Sequence, residues 1–327
     1  MAELTSIADA NAKIDAGKWL HIAGEEAMLR NLGKGNWIGG TIPYFITHHG
    51  GVVDRERVFV TELPESIFNV KISFVAPDEL QRVTEEAPYN GFSLIILPAS
   101  SSIHAEYALR AEHLPGIFYK PIVGWVSGVH LNALETMKAQ VVNGKTGEFA
   151  DNQLVVLHAQ LLNSLIARVG IINMFQQGRG DTFVFDKTSF LGDACLINGS
   201  GGSFYEYARD HNLDMRLPLV ADRSGAMINV GFRDLDEADH AVRFYAPLVG
   251  GIEYRQAAAI DDYRSTFAAH NVDFEVAPAF SCNCILNFVY GGLEGEQRLS
   301  TSGPATFGEI AYVLLNQTMV YLEVLRI

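Results

Sequence analysis

The sequence predicts a mixed α/β (α+β) fold, with a duplicated strand-helix-strand front half packed on a strand-rich α+β back half. Three observations predict it. Apolar runs of strand length, such as Phe92-Ser93-Leu94-Ile95-Ile96-Leu97, alternate with helically spaced segments over the first part of the chain. The order apolar strand, helix, glycine-containing strand occurs twice there, ending on Ile38-Gly39-Gly40 and again on Val123-Gly124-Trp125. From about residue 166 strand patterns predominate. The expected parts are 1–165 and 166–327, in keeping with a 327-residue chain of about two domains.

In order, residues 5–16 read as a short helix ended by Gly17, and Trp19-Leu20-His21-Ile22-Ala23 as a buried strand. Residues 25–32 have helical spacing and stop at Gly33. A glycine-rich strand and turn covers 35–45, and a strand 58–61. An extra strand and helix, 70–88, separates the copies. The second copy gives strands at 92–97, 121–126 and 154–157, with a helix at 103–114. The back part gives strands at 167–174, 182–185, 194–197, 226–231 and 241–245, and helices near 203–210 and 259–270. Two apolar segments, 279–290 and 310–325, close it, the second beginning as a turn and ending as a strand.

Hydrophobic residues make up 48% and charged residues 19%, which supplies a large core and argues against disorder. The net charge of −14 disfavours nucleic acid and anionic membranes as partners, since both need clustered Lys and Arg. No apolar run approaches the roughly 20 residues of a membrane helix. The opening residues carry Glu3, Asp9 and Asp15 and no basic segment, so a cytoplasmic location is expected. Three cysteines are too few for a disulfide framework.

The chemistry concentrates near the C-terminus. In Phe280-Ser281-Cys282-Asn283-Cys284, Ser281 and Asn283 would face one side of a strand and the two cysteines the other. Gly303-Pro304-Ala305-Thr306-Phe307-Gly308-Glu309-Ile310 follows. It joins a turn to a glycine suited to close backbone approach, then places Glu309 among apolar neighbours. A carboxylate there must be hydrogen-bonded or offered to a ligand amine.

These two segments, with Leu315-Asn316-Gln317-Thr318, resemble the C-terminal part of FIST domains. Residues 198–219, with Tyr205-Glu206-Tyr207 and Leu217-Pro218-Leu219, are similar to the family's central part. Ile38-Gly39-Gly40 and Val123-Gly124-Trp125 resemble its duplicated front half. The resemblance implies an intracellular sensory domain for a small ligand, often proposed to be an amino acid, with haem and nitric oxide sensing in some members. The family strand often carries an Arg after Ser-Cys, and here Asn283-Cys284-Ile285-Leu286 follows instead. With no length left for an output module, the chain reads as a stand-alone FIST-like protein whose signal passes to a separate partner.

The expected site therefore takes Gly39, Gly40 and Thr41 from the first copy and Gly124 and Trp125 from the second. The back part adds Ser281, Cys282, Asn283, Thr306 and Glu309. Glu309 would hold a ligand amine, Ser281 and Asn283 would orient it, and Trp37 or Trp125 would wall the site, at the junction of the two halves. No cofactor or metal is expected. The alternatives are haem on His48 or His49, with His104, His130 and His158 as fallback ligands, and a hydrolase or transferase with Cys282 as nucleophile. A pure interaction protein is a further reading. Gly35–Gly40 lacks the phosphate-loop pattern. Gly199-Ser200-Gly201-Gly202 reads as a plain turn, Arg179-Gly180-Asp181 as a loop, and 234–239 as a solvated acidic run or a helix start.

Overall fold

The computed structural model describes residues 2–223, 225–270, 272, 274, 276–295 and 301–327. The fold is mixed α+β, with strand well in excess of helix. Two compact units form. Unit 1 holds residues 1–172, 271–314 and 319–327, and unit 2 holds 173–270 and 315–318. The segment 166–327 is thus shared between the two units.

Unit 1 contains the same structural copy three times. The first runs β1 (Ala2–Thr5), α1 (Ile7–Asp15), β2 (Leu20–Gly24), α2 (Glu26–Leu29), β3 (Trp37–Thr41), β4 (Tyr44–Thr47), β5 (Gly50–Val53) and β6 (Val58–Glu62). The second runs β7 (Ile67–Val75), α3 (Arg82–Glu85), β8 (Gly91–Pro98), α4 (Ser102–Arg110), β9 (Ile122–Ser127), β10 (Val141–Asn143), β11 (Glu148–Ala150) and β12 (Leu154–Leu161). The expected duplication is present. Residues 70–88 are not an addition between copies, because β7 and α3 occupy the place of β1 and α1.

The third copy opens with β13 (Leu165–Ile172) and is then interrupted by unit 2 where the others carry α1 or α3. Unit 2 comprises β14 (Gln177–Phe185), β15 (Ser189–Gly192), β16 (Ala194–Ile197), β17 (Ser200–Ser203), α5 (Phe204–Asp210), β18 (Leu219–Arg223), β19 (Ala226–Val230), β20 (Phe232–Asp236), β21 (Ala241–Leu248), β22 (Glu253–Ala257) and α6 (Tyr263–Ala269). Its core gathers on Phe204, whose ring lies 4.8 Å from Phe183 and 5.3 Å from Phe185. Three expectations change here. Arg179-Gly180-Asp181 lies within β14. Ser200–Ser203 is a strand paired with β16. The acidic run starts no helix: it belongs to β20 and the turn after it, and is largely exposed as expected, save Asp236, which is buried and paired to Arg243. The copy resumes with β23 (Phe280–Cys284), α7 (Ile285–Tyr290), β24 (Gly303–Thr306), β25 (Glu309–Ala311), β26 (Val313–Leu315) and β27 (Met319–Arg326).

The three sheets have the same plan. Their orders are β1-β6-β2-β3-β10-β11, β7-β12-β8-β9-β25-β26 and β13-β27-β23-β24-β4-β5. In each, the two strands flanking the helix pair in parallel, and the copy's last strand returns antiparallel beside the first of them. The remaining edge is completed by a hairpin from another copy. The second copy's hairpin joins the first sheet, the third copy's joins the second, and the first copy's joins the third.

Local sequence accounts for these elements. Ser6 caps α1 by accepting from the Asp9 amide, and Gly17, at φ 73°, ends it. Ser101 caps α4 in the same way through the His104 amide. β8 is buried throughout, as an apolar strand with neighbours on both faces must be. The second parallel strand of each copy carries one glycine pressed on its partner strand. A Cβ at Gly39, Gly124 or Gly303 would collide with the carbonyl oxygen of Ile22, Ile95 or Ser281. Gly124→Ala and Gly303→Ala are each expected to destabilise the protein by about 2–4 kcal/mol, read by urea denaturation.

Three histidines set an acid limit. Burial pushes His21 down to about 3, and His104 and His158 to about 4. All three stay neutral in the fold but take a proton once unfolded, below about pH 6.5. Their folded pKa values are the lower ones, so stability falls as pH drops from about 6.5 towards 4. A midpoint temperature unchanged across that range contradicts this. His21→Gln, which cannot titrate, is expected to flatten the profile.

Candidate functional site

The ten residues expected at a site all lie in unit 1, and all are buried. They gather where the copies meet. The Trp125 indole on β9 donates to His21 Nε2 on β2 at 2.8 Å, and the His21 ring stands edge-on to Phe280 on β23 at 5.0 Å. Because His21 is neutral and Nε2 accepts, the ring proton sits on Nδ1, which has no hydrogen-bond partner among the described residues. Gly40 faces Trp125, Ile96 and Ser127.

Cys282 Sγ contacts the Gly124 carbonyl at 3.5 Å. Thr306 Oγ1 bonds the Asn283 carbonyl at 3.1 Å and the Gly308 carbonyl at 3.0 Å, and reaches Glu309 Oε1 at 3.4 Å. Ser281 Oγ donates to the Ser302 carbonyl at 3.0 Å. Asn283 Oδ1 accepts from Asn287 Nδ2 at 2.9 Å and from the Cys284 amide at 2.8 Å. The assembly is a packed polar core. Glu309, fully enclosed and paired in register with Trp125 on β9, is held within it.

Burial, with Glu309 alongside, pushes the Cys282 thiol well above its ordinary range. A nucleophilic cysteine needs the opposite shift. His48 and His49 occupy the β4–β5 turn, where the His48 ring approaches Ser302 Oγ at 3.4 Å. His130 stacks on Tyr44 at 5.6 Å, and His158 Nδ1 bonds Ser93 Oγ at 2.8 Å. Among the described residues no three His, Cys, Asp or Glu side chains come together as a metal-binding group. None of their helices is long and apolar enough to cross a membrane.

An open cleft lies elsewhere in unit 1. A cleft of about 570 Å³ sits at the C-terminal end of the parallel β8–β9 pair. This is where open α/β sheets place ligands. One side is Ala99-Ser100-Ser101-Ser102, entering α4, with Asp151 and Asn152 from the β11–β12 turn. The other is Gly128, Val129, Leu134, Met137, Lys138 and Ala139, from the β9–β10 connection, and Phe307 of the third copy completes it. Of the expected motif only Phe307, between Thr306 and Glu309, reaches this cleft.

The β9–β10 connection is anchored. Thr41 grips both its ends: its carbonyl accepts from the Gly128 amide at 2.7 Å, and its hydroxyl from the Gln140 amide at 2.9 Å. In between, the Leu131 amide donates to Tyr44 Oη at 3.0 Å. Phe307 packs against Gly128 so closely that a Cβ there would meet the ring at 2.5 Å. Asn152 Oδ1 accepts from the Ser102 amide at 3.0 Å, the Ser102 hydroxyl at 2.6 Å and the Ile103 amide at 3.3 Å. Lys138 and Asp151 form an ion pair at 2.9 Å. Ser100 adopts a left-handed backbone, φ 58°.

The chain belongs to DUF6976, a family of unknown function whose family model matches residues 5–325. No curated protein and no solved structure matches it.

In the native protein at about pH 8, Cys282 is expected to resist iodoacetamide for hours and to label within minutes in urea. Rapid native labelling of Cys282, located by peptide mapping, contradicts the packing described.

Proposed function

We propose that this protein binds a small molecule in the β8–β9 cleft. One observation carries the reading: the cleft is built where the second copy departs from the other two. The first copy passes from its second parallel strand to its hairpin through Ile42-Pro43, and the third through Phe307-Gly308. The second spends thirteen residues, Gly128 to Gln140, on the same step, and six of them wall the cleft. The turn into the helix departs likewise. One residue, Glu25, separates strand from helix in the first copy and none does in the third, whereas Ala99-Ser100-Ser101 does in the second. The other two copies show that the fold closes without these additions. Long connections of this kind serve binding more often than architecture, and the volume lies in the range of small-molecule sites.

The finer resemblance to FIST domains supports a sensory role, with occupancy shifting an equilibrium that a separate signalling protein reads. Phe307 lies two residues from Glu309, so a ligand displacing that ring would pull on the buried Thr306–Glu309 turn. On this reading Glu309 couples the cleft to the core and does not itself hold an amine.

The test shortens the connection. Replacing 128–140 by a two-residue link, as in the other copies, is expected to leave a folded protein and to abolish binding. A thermal-shift screen of small organic molecules reads it: wild-type hits at a hundred times their Kd add about 2.7 kcal/mol of stability and so raise the midpoint temperature, and the shortened protein does not respond. The same hits binding equally well to the folded, shortened protein overturn the proposal.

A further inference from the structure

We infer that the ligand of this cleft is uncharged, with a flat apolar body seated against Phe307 and a hydrogen-bond acceptor, such as a carbonyl oxygen, at its polar end. The inference rests on the cleft being a binding site and concerns what that site selects.

Charge is decided by Lys138 and Asp151. Among the described residues they are the ionisable side chains that line the cleft, and they pair with each other at 2.9 Å at its exposed rim, so the lining carries no net charge. An ion entering here would lose water without meeting an uncompensated opposite charge, which is costly. The polar end is decided by what the lining groups still have to give. Ser101 Oγ donates to the Pro98 carbonyl at 2.6 Å and accepts from the His104 amide at 3.2 Å. Ser102 Oγ is committed to Asn152. Two backbone amides and a hydroxyl fix Asn152 Oδ1 as the acceptor, so the group it has left to offer is the Nδ2 donor pair. Ser100 Oγ, in the same turn, is exposed at the cleft and open to a ligand. What remains is a donor pair and a hydroxyl, which suits an acceptor on the ligand.

Shape follows from Gly128. With no side chain there, the Phe307 ring lies against the main chain and forms one apolar wall of the cleft. Leu134 and Met137, both exposed, supply apolar surface from the connection. A flat aromatic group can pack on the Phe307 ring in the offset-stacked or edge-to-face arrangement that aromatic pairs prefer.

Three probes of one size separate these features: benzamide, benzoate and benzylamine, titrated at about pH 7.5 by ligand-observed NMR. Benzamide is expected to bind at least about tenfold more tightly than either ion. Phe307→Leu, which stays apolar but loses the flat face, should weaken benzamide several-fold. Ser100→Gly relieves the left-handed backbone, so it should keep or raise the midpoint temperature while weakening benzamide. Benzoate or benzylamine binding as tightly as benzamide overturns the inference, as does benzamide affinity unchanged in both variants. If none of the probes binds, but other molecules do and lose their binding in the shortened-connection protein, the ligand class falls and the cleft reading stands. If nothing binds the wild-type cleft, both fall.

Discussion

The pairing of β24 with β4, Gly303 opposite Ile46 and Pro304 opposite Phe45, joins the last copy of unit 1 to the first. The other two hairpin exchanges run between neighbouring copies, and this one closes the cycle. No sheet of unit 1 is complete without strands from another copy, so none of the three can bury its edge alone. The constraint is non-local. It ties residues near 45 to residues near 304, and such contacts require costly loop closure before they contribute. The glycine in each second parallel strand belongs to the same constraint, because it lets the two parallel strands lie close enough for the hairpin to add on the far side.

A three-copy plan separates what the fold needs from what has been added. Two additions stand out in unit 1. One is unit 2, inserted where α1 and α3 stand in the other copies. The second is the pair of lengthened turns at the end of β8–β9. Thr41 connects this second addition to the plan, since it holds both ends of the lengthened connection from the first copy while ending that copy's own parallel pair. The third copy supplies Phe307 from a turn that keeps its two-residue length. The cleft thus has its two facing walls from the added turns, closed by Asp151, Asn152 and Phe307 from the repeats.

Much of this was legible in the sequence. The first two copies could be read because their inner strands are apolar runs and their second strands carry a glycine among large residues, as in Ile38-Gly39-Gly40 and Val123-Gly124-Trp125. The third copy was hidden for two physical reasons. About a hundred residues of unit 2 separate β13 from β23, and β23 reads Phe-Ser-Cys-Asn-Cys, whose small polar side chains break the apolar run and are bonded to Ser302, to the adjacent Cys284 amide and to Asn287 one helical turn on. The residues singled out as a site do converge, but as a core: polar groups next to glycines mark tight packing as readily as they mark a ligand. The cleft left a different signal, the unequal spacing from Thr41 to Tyr44 and from Ser127 to Val141. Reading it requires knowing that the copies are equivalent. Ser100-Ser101-Ser102 and the segment after Gly128 have no periodicity to announce them.

Location is the central claim, and crystallography of fragment-soaked crystals tests it most directly. The account places bound fragments against Phe307, between the Ser100 turn and Met137. Fragments found repeatedly at another place on the molecule, with this cleft empty and open to solvent in the same crystals, would contradict it.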